Sequence, residues 1–181
     1  MREKYIVFVN EENLTKEQID SFYAKLYEYH EEVVSYKLIE SDCEKLNAPK
    51  CVIDAYKKGM HDYVCEYIGL KEIFKNGGLY LKANVKLKYN LTDLFNNHLI
   101  CPADNNGNIC SDFIGGDMGS LAIKRVLDSY ESDVYKDQLS IDLGQRVYDV
   151  LRFEYGIVPE GKTRAYFDTF KLIQKDEIFA K

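Results

Sequence analysis

The first 40 residues carry the pattern that most constrains the fold: a strand, an amphipathic helix and a second strand in close succession. The run YIVFV at residues 5–9 is short, apolar and rich in β-formers, which indicates a buried strand. Thr15 and Gln18 have the spacing of a capping box, and apolar residues recur behind them at helical spacing to about residue 31. Residues 33–39 predict the second strand. We therefore expect a βαβ unit, with a right-handed crossover if its strands are parallel.

The middle of the chain predicts helices followed by a long strand. Residues 42–75 carry an apolar stripe at helical spacing, which ends at the sequence NGG at 76–78. Apolar and polar residues then alternate from 79 to 89. This alternation predicts a long strand over 79–89 with one buried face and one face exposed to solvent. The solvated face carries Lys82, Asn84, Lys86 and Lys88.

The second half of the chain predicts a hairpin and further helices. Asn106 and Gly107 are a strong signal for a tight turn, and short apolar runs flank them, so we expect a hairpin near 99–110. The remaining pattern predicts helices at 92–97, 121–131, 141–155 and 163–180. No internal repeat, linker or low-complexity segment divides the chain. The sequence therefore predicts a single compact α+β domain over residues 1–181.

The cysteines and the lack of long apolar runs indicate a cytoplasmic protein. No apolar run approaches the roughly 20 residues needed to span a bilayer, and the first residues do not have the pattern of a signal peptide. The five cysteines are an odd number, which predicts reduced thiols in the absence of a secretory signal. We expect a cytoplasmic location, no membrane contact and no cofactor. The cysteines are Cys43, Cys51, Cys65, Cys101 and Cys110.

Acidic residues are concentrated in the first third of the chain. Residues 1–67 hold 14 Asp and Glu against 9 Lys and Arg, whereas residues 68–119 hold 5 of each and residues 120–181 hold 11 acidic against 10 basic. A general binder of nucleic-acid phosphates needs the opposite charge, so direct nucleic-acid binding is not expected from the overall balance. The acidic third fits either the capture of a basic protein partner or a surface that only keeps the protein soluble.

The segment CPADNNGNICSDFIGGDMGS at 101–120 combines features of several kinds of site. A calcium loop that begins at Asp104 would need a glycine and a glutamate at the positions of Ile109 and Gly115. The calcium hypothesis therefore fails on register. We expect this segment to form the turn of the hairpin.

The end of the same segment, GGDMGS at 115–120, resembles a phosphate-binding loop only loosely. It has neither the P-loop pattern nor the dinucleotide-binding fingerprint, and Asp117 would repel a phosphate. We expect Asp117 or Ser120 to cap the helix that follows.

The composition and the absence of a catalytic motif favour a binding protein over an enzyme. The 15 tyrosines and the acidic first third suit an interface with a basic partner. This profile resembles that of immunity proteins against nuclease toxins and of phage or mobile-element anti-defence proteins, including anti-CRISPR proteins. We predict a non-enzymatic inhibitor that neutralises a larger basic partner, a nuclease or a nucleic-acid-binding protein. The residues predicted to contact this partner are Glu28, Glu31, Glu32, Glu40, Asp42 and Glu44.

Two alternatives remain open. Cys101, Cys110 and His98 are candidate residues for thiol catalysis or for zinc, if the fold brings them together, although the closely spaced ligand pairs of structural zinc are missing. The other alternative is a nucleic-acid module that uses the lysines of the strand at 79–89. Such lysines more often protect an exposed strand against unwanted pairing.

Overall fold

The computed structural model describes most of the chain. The described residues are 5–11, 13–29, 33–38, 47–86, 97–131, 141–166 and 170–178.

Within these ranges, seven strands form one mixed sheet in the order β2-β1-β3-β5-β4-β7-β6. The strands are β1 (Tyr5–Asn10), β2 (Val33–Lys37), β3 (Gly78–Lys82), β4 (Leu99–Ala103), β5 (Phe113–Gly116), β6 (Arg164–Tyr166) and β7 (Phe170–Gln174). The helices are α1 (Lys16–Tyr29), α2 (Lys50–Lys57), α3 (His61–Asn76), α4 (Leu121–Glu131), α5 (Leu143–Glu154) and α6 (Lys175–Ile178). This architecture confirms the α+β class. The assignment of all of 1–181 to one domain stays a prediction.

The predicted βαβ unit is present at the start of the chain. β1 pairs in parallel with β2 on one side and with β3 on the other. The capping box of α1 forms as expected: the Gln18 amide donates to Thr15 Oγ1 at 3.3 Å, and the Thr15 amide donates to Gln18 Oε1 at 2.9 Å. Each bond pairs a backbone N–H that the first helical turn would otherwise leave without a protein partner.

The central strands β1 and β3 are covered on both faces. Phe8 and Tyr80 point into the larger core cluster, which includes side chains of α2, α3, α4 and α5. Val7 and Leu79 point the other way, into a second cluster that contains Phe22 of α1. Helices on both faces of paired parallel strands are the arrangement of doubly wound sheets.

The prediction of a long strand over 79–89 with one solvated face is wrong. β3 ends at Lys82, and Leu79, Tyr80 and Leu81 are all fully buried. The strand lies between β1 and β5 with core on both sides, so its three middle residues meet solvent on neither face. A turn follows at 83–84, and residues 87–90 lie outside the described part of the chain.

The hairpin predicted near 99–110 is confirmed, and it continues into β5. Ala103 and Ile109 form an antiparallel bridge, and the Cys110 amide donates to the carbonyl of Pro102 at 2.9 Å. Gly107 has a φ of +83°, the positive value that the turn requires. β5 then pairs antiparallel with both β4 and β3.

The helix predicted over 163–180 is largely wrong. This part of the chain forms β6 and β7, and only the short α6 is helical. β7 pairs in parallel with β4, which lies some 70 residues earlier in the sequence, so a distant strand decides its conformation. The helices predicted at 121–131 and 141–155 are confirmed as α4 and α5, while most of the helix predicted at 92–97 falls outside the described residues.

Among the described residues, none of the helices combines the length and the hydropathy that a membrane span requires.

Candidate active site

The candidate site lies at the carboxyl ends of β1 and β3. The chain passes from β1 to β2 on one side and then returns to β3 on the other, so the strand order reverses beside β1. In doubly wound sheets, ligands bind in the crevice outside the carboxyl ends of the strands at such a reversal. Asn10 and Lys82 end β1 and β3, and they are partners in the strand register.

A pocket of about 460 Å³ opens at this edge of the sheet. This volume is within the range of small-molecule sites. Several separate segments supply its polar lining: the loop after β1, the first turns of α3, the end of β3, the loop before β5 and the N-cap of α5. The polar side chains that line the pocket include those of Asn13, Asp62, Glu66, Lys82, Ser111 and Asp142.

Lys82 is the central charged group of the pocket. Its Nζ lies 3.2 Å from Glu66 Oε1, and 3.8 Å from both Asp62 Oδ2 and Asp112 Oδ1. The side chain is only 14% exposed. Burial opposes its charge, but the surrounding carboxylates outweigh burial and raise the pKa of Lys82. The ammonium therefore stays protonated at neutral pH.

Glu66 is the buried partner of Lys82. It lies on α3 among fully buried neighbours, and its Oε2 accepts a hydrogen bond from the Leu143 amide at 3.3 Å. Burial raises the pKa of Glu66 to about 7, although Lys82 acts in the opposite direction. The carboxyl group therefore exchanges its proton close to neutral pH, which is the range in which acid–base groups of enzymes are most effective.

Two further carboxylates are open to the pocket. Asp62 is 51% exposed, and its Oδ1 accepts a hydrogen bond from Asn10 Nδ2 at 3.0 Å, which orients the group. Asp142 is the N-cap of α5 and accepts from the Gln145 amide at 2.9 Å. Both groups retain oxygen lone pairs with which they can accept hydrogen bonds from a ligand.

The structure does not bring Cys101, Cys110 and His98 together. His98 precedes β4 and contacts Asp117 at 3.1 Å, whereas Cys110 lies opposite Pro102 near the other end of the strand. His98 and Pro102 are four residues apart along the chain, which corresponds to roughly 13 Å at about 3.3 Å per residue. Cys101 is fully buried, and burial raises the pKa of its thiol far above the usual range. The three residues therefore form neither a catalytic thiol site nor a zinc site.

The described residues contain no group of three or more His, Cys, Asp or Glu side chains arranged to hold a metal ion. Asp104, the first residue of the rejected calcium loop, instead stabilises the hairpin turn. Its Oδ1 accepts from the amides of Asn106 and Asn108 at 2.8 and 2.9 Å. Ser120 caps α4, since its hydroxyl oxygen accepts from the Ile123 amide at 3.3 Å.

The structure describes little of the predicted acidic surface, and it does not form the predicted lysine face. Of the six acidic residues predicted to contact a partner, the described part of the chain includes Glu28, which is exposed on α1. The other five lie outside it, so this surface stays a prediction. The lysine face does not form as expected, because Lys82 is held inside the pocket by carboxylates. Lys86 is exposed, and Lys88 lies outside the described residues.

The sequence matches no family model and no curated protein. Solved structures do match the fold. One of them is described as "PaToxG Glycosyltransferase"; it is 10% identical, with a TM-score of 0.57, and the match covers 85% of this chain and 69% of that one. At this identity the likeness shows a shared fold.

The comparison corrects the predicted function. The structural neighbour is named as an enzyme, whereas we expected an inhibitor of the immunity or anti-CRISPR type without catalytic activity. That expectation is wrong, and the alternative of an enzyme whose residues meet only in the fold has the better support. The residues that meet are those around Lys82, not the cysteines and His98.

Sequence reasoning missed Asp62, Glu66 and Asp142. One signal was available: Asp62 and Glu66 are four residues apart and therefore share a face of α3. Glu66 also interrupts the otherwise uncharged stretch from 63 to 70, every residue of which is buried. A lone acid in such a stretch is rarely buried unless it is paired, and the pairing partner is a functional candidate.

Proposed function

We propose that this protein is a glycosyltransferase, an enzyme that transfers a sugar from an activated donor to an acceptor. The observation that carries the proposal is the likeness to a glycosyltransferase over 85% of the chain. A polar pocket at the carboxyl ends of β1 and β3 supports it, because folds of this kind bind ligands at that edge.

The chemistry of the pocket suits a sugar. Sugars present many hydroxyl donors, and the open carboxylates of Asp62 and Asp142 can only accept hydrogen bonds when ionised. In a transfer, an acceptor oxygen bonds to the anomeric carbon, the bond from that carbon to the leaving group breaks, and the acceptor proton passes to a base. Asp62 is the carboxylate best placed for that proton, because Asn10 orients it and half of its surface is open.

Asp62→Asn should reduce sugar transfer by about 100-fold, since the amide keeps the shape of the side chain but cannot accept the proton. The assay incubates the purified protein with a panel of nucleotide-sugar donors and measures released nucleoside diphosphate and free or transferred sugar. Asp20→Asn is the matched control, because Asp20 is exposed on α1 and does not line the pocket. Equal rates for Asp62→Asn and the wild type, or no release from any donor, would contradict the proposal.

His98→Ala and Cys110→Ser should leave the transfer rate within about twofold of the wild type. Neither residue lines the pocket, and the strand β4 separates them. The same donor assay measures both variants, with circular dichroism to confirm that each one folds. A loss of tenfold or more in either variant would place the active site at the hairpin instead.

We also propose a cytoplasmic location. Among the cysteines that the structure describes, Cys51, Cys101 and Cys110 are free thiols. Free thiols are usual in proteins of the reducing cytoplasm.

A further inference from the structure

The inference drawn from the pocket concerns how the charge of the donor is neutralised, and it rests on the proposed function. A donor activated by a diphosphate carries negative charge, which increases on the leaving group as the bond to the sugar breaks. Enzymes neutralise such charge either with a divalent cation held by carboxylates or with Lys and Arg side chains. Asp62 and Glu66 supply carboxylates in the pocket, and Asp112 lies beside it.

These carboxylates already surround a cation. Lys82 Nζ lies within 3.8 Å of oxygens from Asp62, Glu66 and Asp112. A divalent ion bound to the same oxygens would sit 2.0–2.6 Å from them, and so within a few ångströms of the ammonium. Two positive charges at that distance repel each other strongly in a half-buried site. The residues present therefore do not fit a divalent ion in the cluster.

The position of Lys82 is fixed by its backbone. The residue ends β3, its amide donates to the Asp112 carbonyl at 2.9 Å, and its side chain is almost entirely enclosed. The side chain reaches Glu66, whose second oxygen is held by the Leu143 amide. Asp142 is a further acidic neighbour of Glu66 on the α5 side of the pocket. An excess of negative groups thus faces the ammonium, and swinging it away would leave a buried carboxylate unpaired.

We propose that Lys82 is the built-in cation of this site. It neutralises the carboxylates of Asp62, Glu66 and Asp112, and its charge repels a divalent ion, so the proposed sugar transfer proceeds without one. Lys82 is then the residue that determines the cation requirement of the enzyme.

The test is a calorimetric titration of Mn²⁺ into metal-free protein. The wild type should bind Mn²⁺ no more tightly than about 1 mM, the weak end of protein sites for divalent ions. Lys82→Ala leaves the three carboxylates without a counter-charge and should bind at least tenfold more tightly. Lys86→Ala removes an exposed lysine four residues away and should behave like the wild type. Binding by the wild type as tight as that of Lys82→Ala would overturn the proposal.

Two further measurements test the role of Lys82 independently of the Lys82→Ala variant. Lys82→Arg keeps the positive charge and should not gain Mn²⁺ binding. If Lys82→Ala fails to fold, the titration of the wild type still tests the proposal, because it needs no variant. In the donor assay, transfer by the wild type should be the same in excess chelator as in Mg²⁺ or Mn²⁺; a loss in chelator that the metal restores would also overturn the proposal. If no donor reacts under any condition, the proposed function fails, while the titration still decides the role of Lys82.

Discussion

Replacing Lys82 with methionine should lower the free energy of unfolding by about 3 kcal/mol at pH 8. Methionine retains the apolar stem, so the change removes the charge with little loss of packing. Glu66 then lies buried with no ammonium beside it. An uncompensated buried carboxylate is among the most costly groups in a protein interior. Urea denaturation followed by circular dichroism gives the free energy directly.

The free energy of unfolding that Lys82→Met loses should be larger at high pH than at low pH. Burial already raises the pKa of Glu66 to about 7 with Lys82 present, and removing Lys82 raises it further. Because the folded pKa lies above the unfolded one, the contribution of Glu66 to stability is fully present below its unfolded pKa and is lost as pH rises through its folded pKa. At pH 5 the carboxyl group of the folded variant is protonated, so the difference from the wild type should be much smaller than at pH 8.

Two variants separate this cause from simple loss of packing. Lys86→Met changes an exposed lysine and should alter stability by less than about 0.5 kcal/mol. The double variant Lys82→Met/Glu66→Gln removes both charges and should recover most of the loss at pH 8. A loss of equal size at pH 5 and pH 8 would show that Glu66 is not the group left without a partner.

The parts of the fold that the sequence predicted are those with local causes. The β1-α1-β2 unit was predicted from a short apolar run, a capping box and a helical stripe, all within 40 residues. The hairpin near 99–110 was predicted from Asn106 and Gly107 as residues that both accept a positive φ; of the two, Gly107 adopts one and Asn106 does not. The helix α5 ends where Gly156 adopts a φ of +67°, because a positive φ is a local demand on residue type.

The errors occurred where a distant partner decides the structure. The alternation over 79–89 is a real period of two, but the number of strands and helices around β3 determines which faces are buried. Tyr80 shows this: its ring lies in the core, and its hydroxyl accepts a hydrogen bond from Asn10 Nδ2 at 3.3 Å. Likewise β7 is a strand because it pairs with β4, and the sequence of residues 170–174 carries no signal of that pairing.

The candidate site as a whole could not be predicted from sequence patterns, because it is assembled from many segments. Asp62 and Glu66 come from α3, Lys82 from β3, Asp112 from the loop before β5 and Asp142 from the start of α5. No two of these segments are linked by a motif of fixed spacing, and only the sheet order brings them to one edge. Cysteine and histidine attract attention in a sequence because they are rare and reactive, whereas paired acids and lysines look like surface residues.

Gly78→Ala should be among the most damaging single substitutions in the central sheet, with a loss of about 3 kcal/mol or more in the free energy of unfolding. Gly78 has a φ of +115°, which an L-residue rarely adopts. A Cβ at this position would also lie 2.5 Å from the carbonyl oxygen of Ile6 in β1. That oxygen belongs to a paired central strand, so the clash cannot be relieved by rotating a side chain, and the β1–β3 pairing must shift.

Gly119→Ala is the matched control for backbone strain. Gly119 has a φ of +74°, but a Cβ there would meet no atom within 4 Å. This variant should therefore lose only the cost of the left-handed conformation, about 1 kcal/mol. Urea denaturation of both variants separates strain from steric conflict. Equal losses would mean that the strands move apart freely around Gly78, and that the close contact between Gly78 and Ile6 does not fix the register that aligns Asn10 with Lys82 at the pocket.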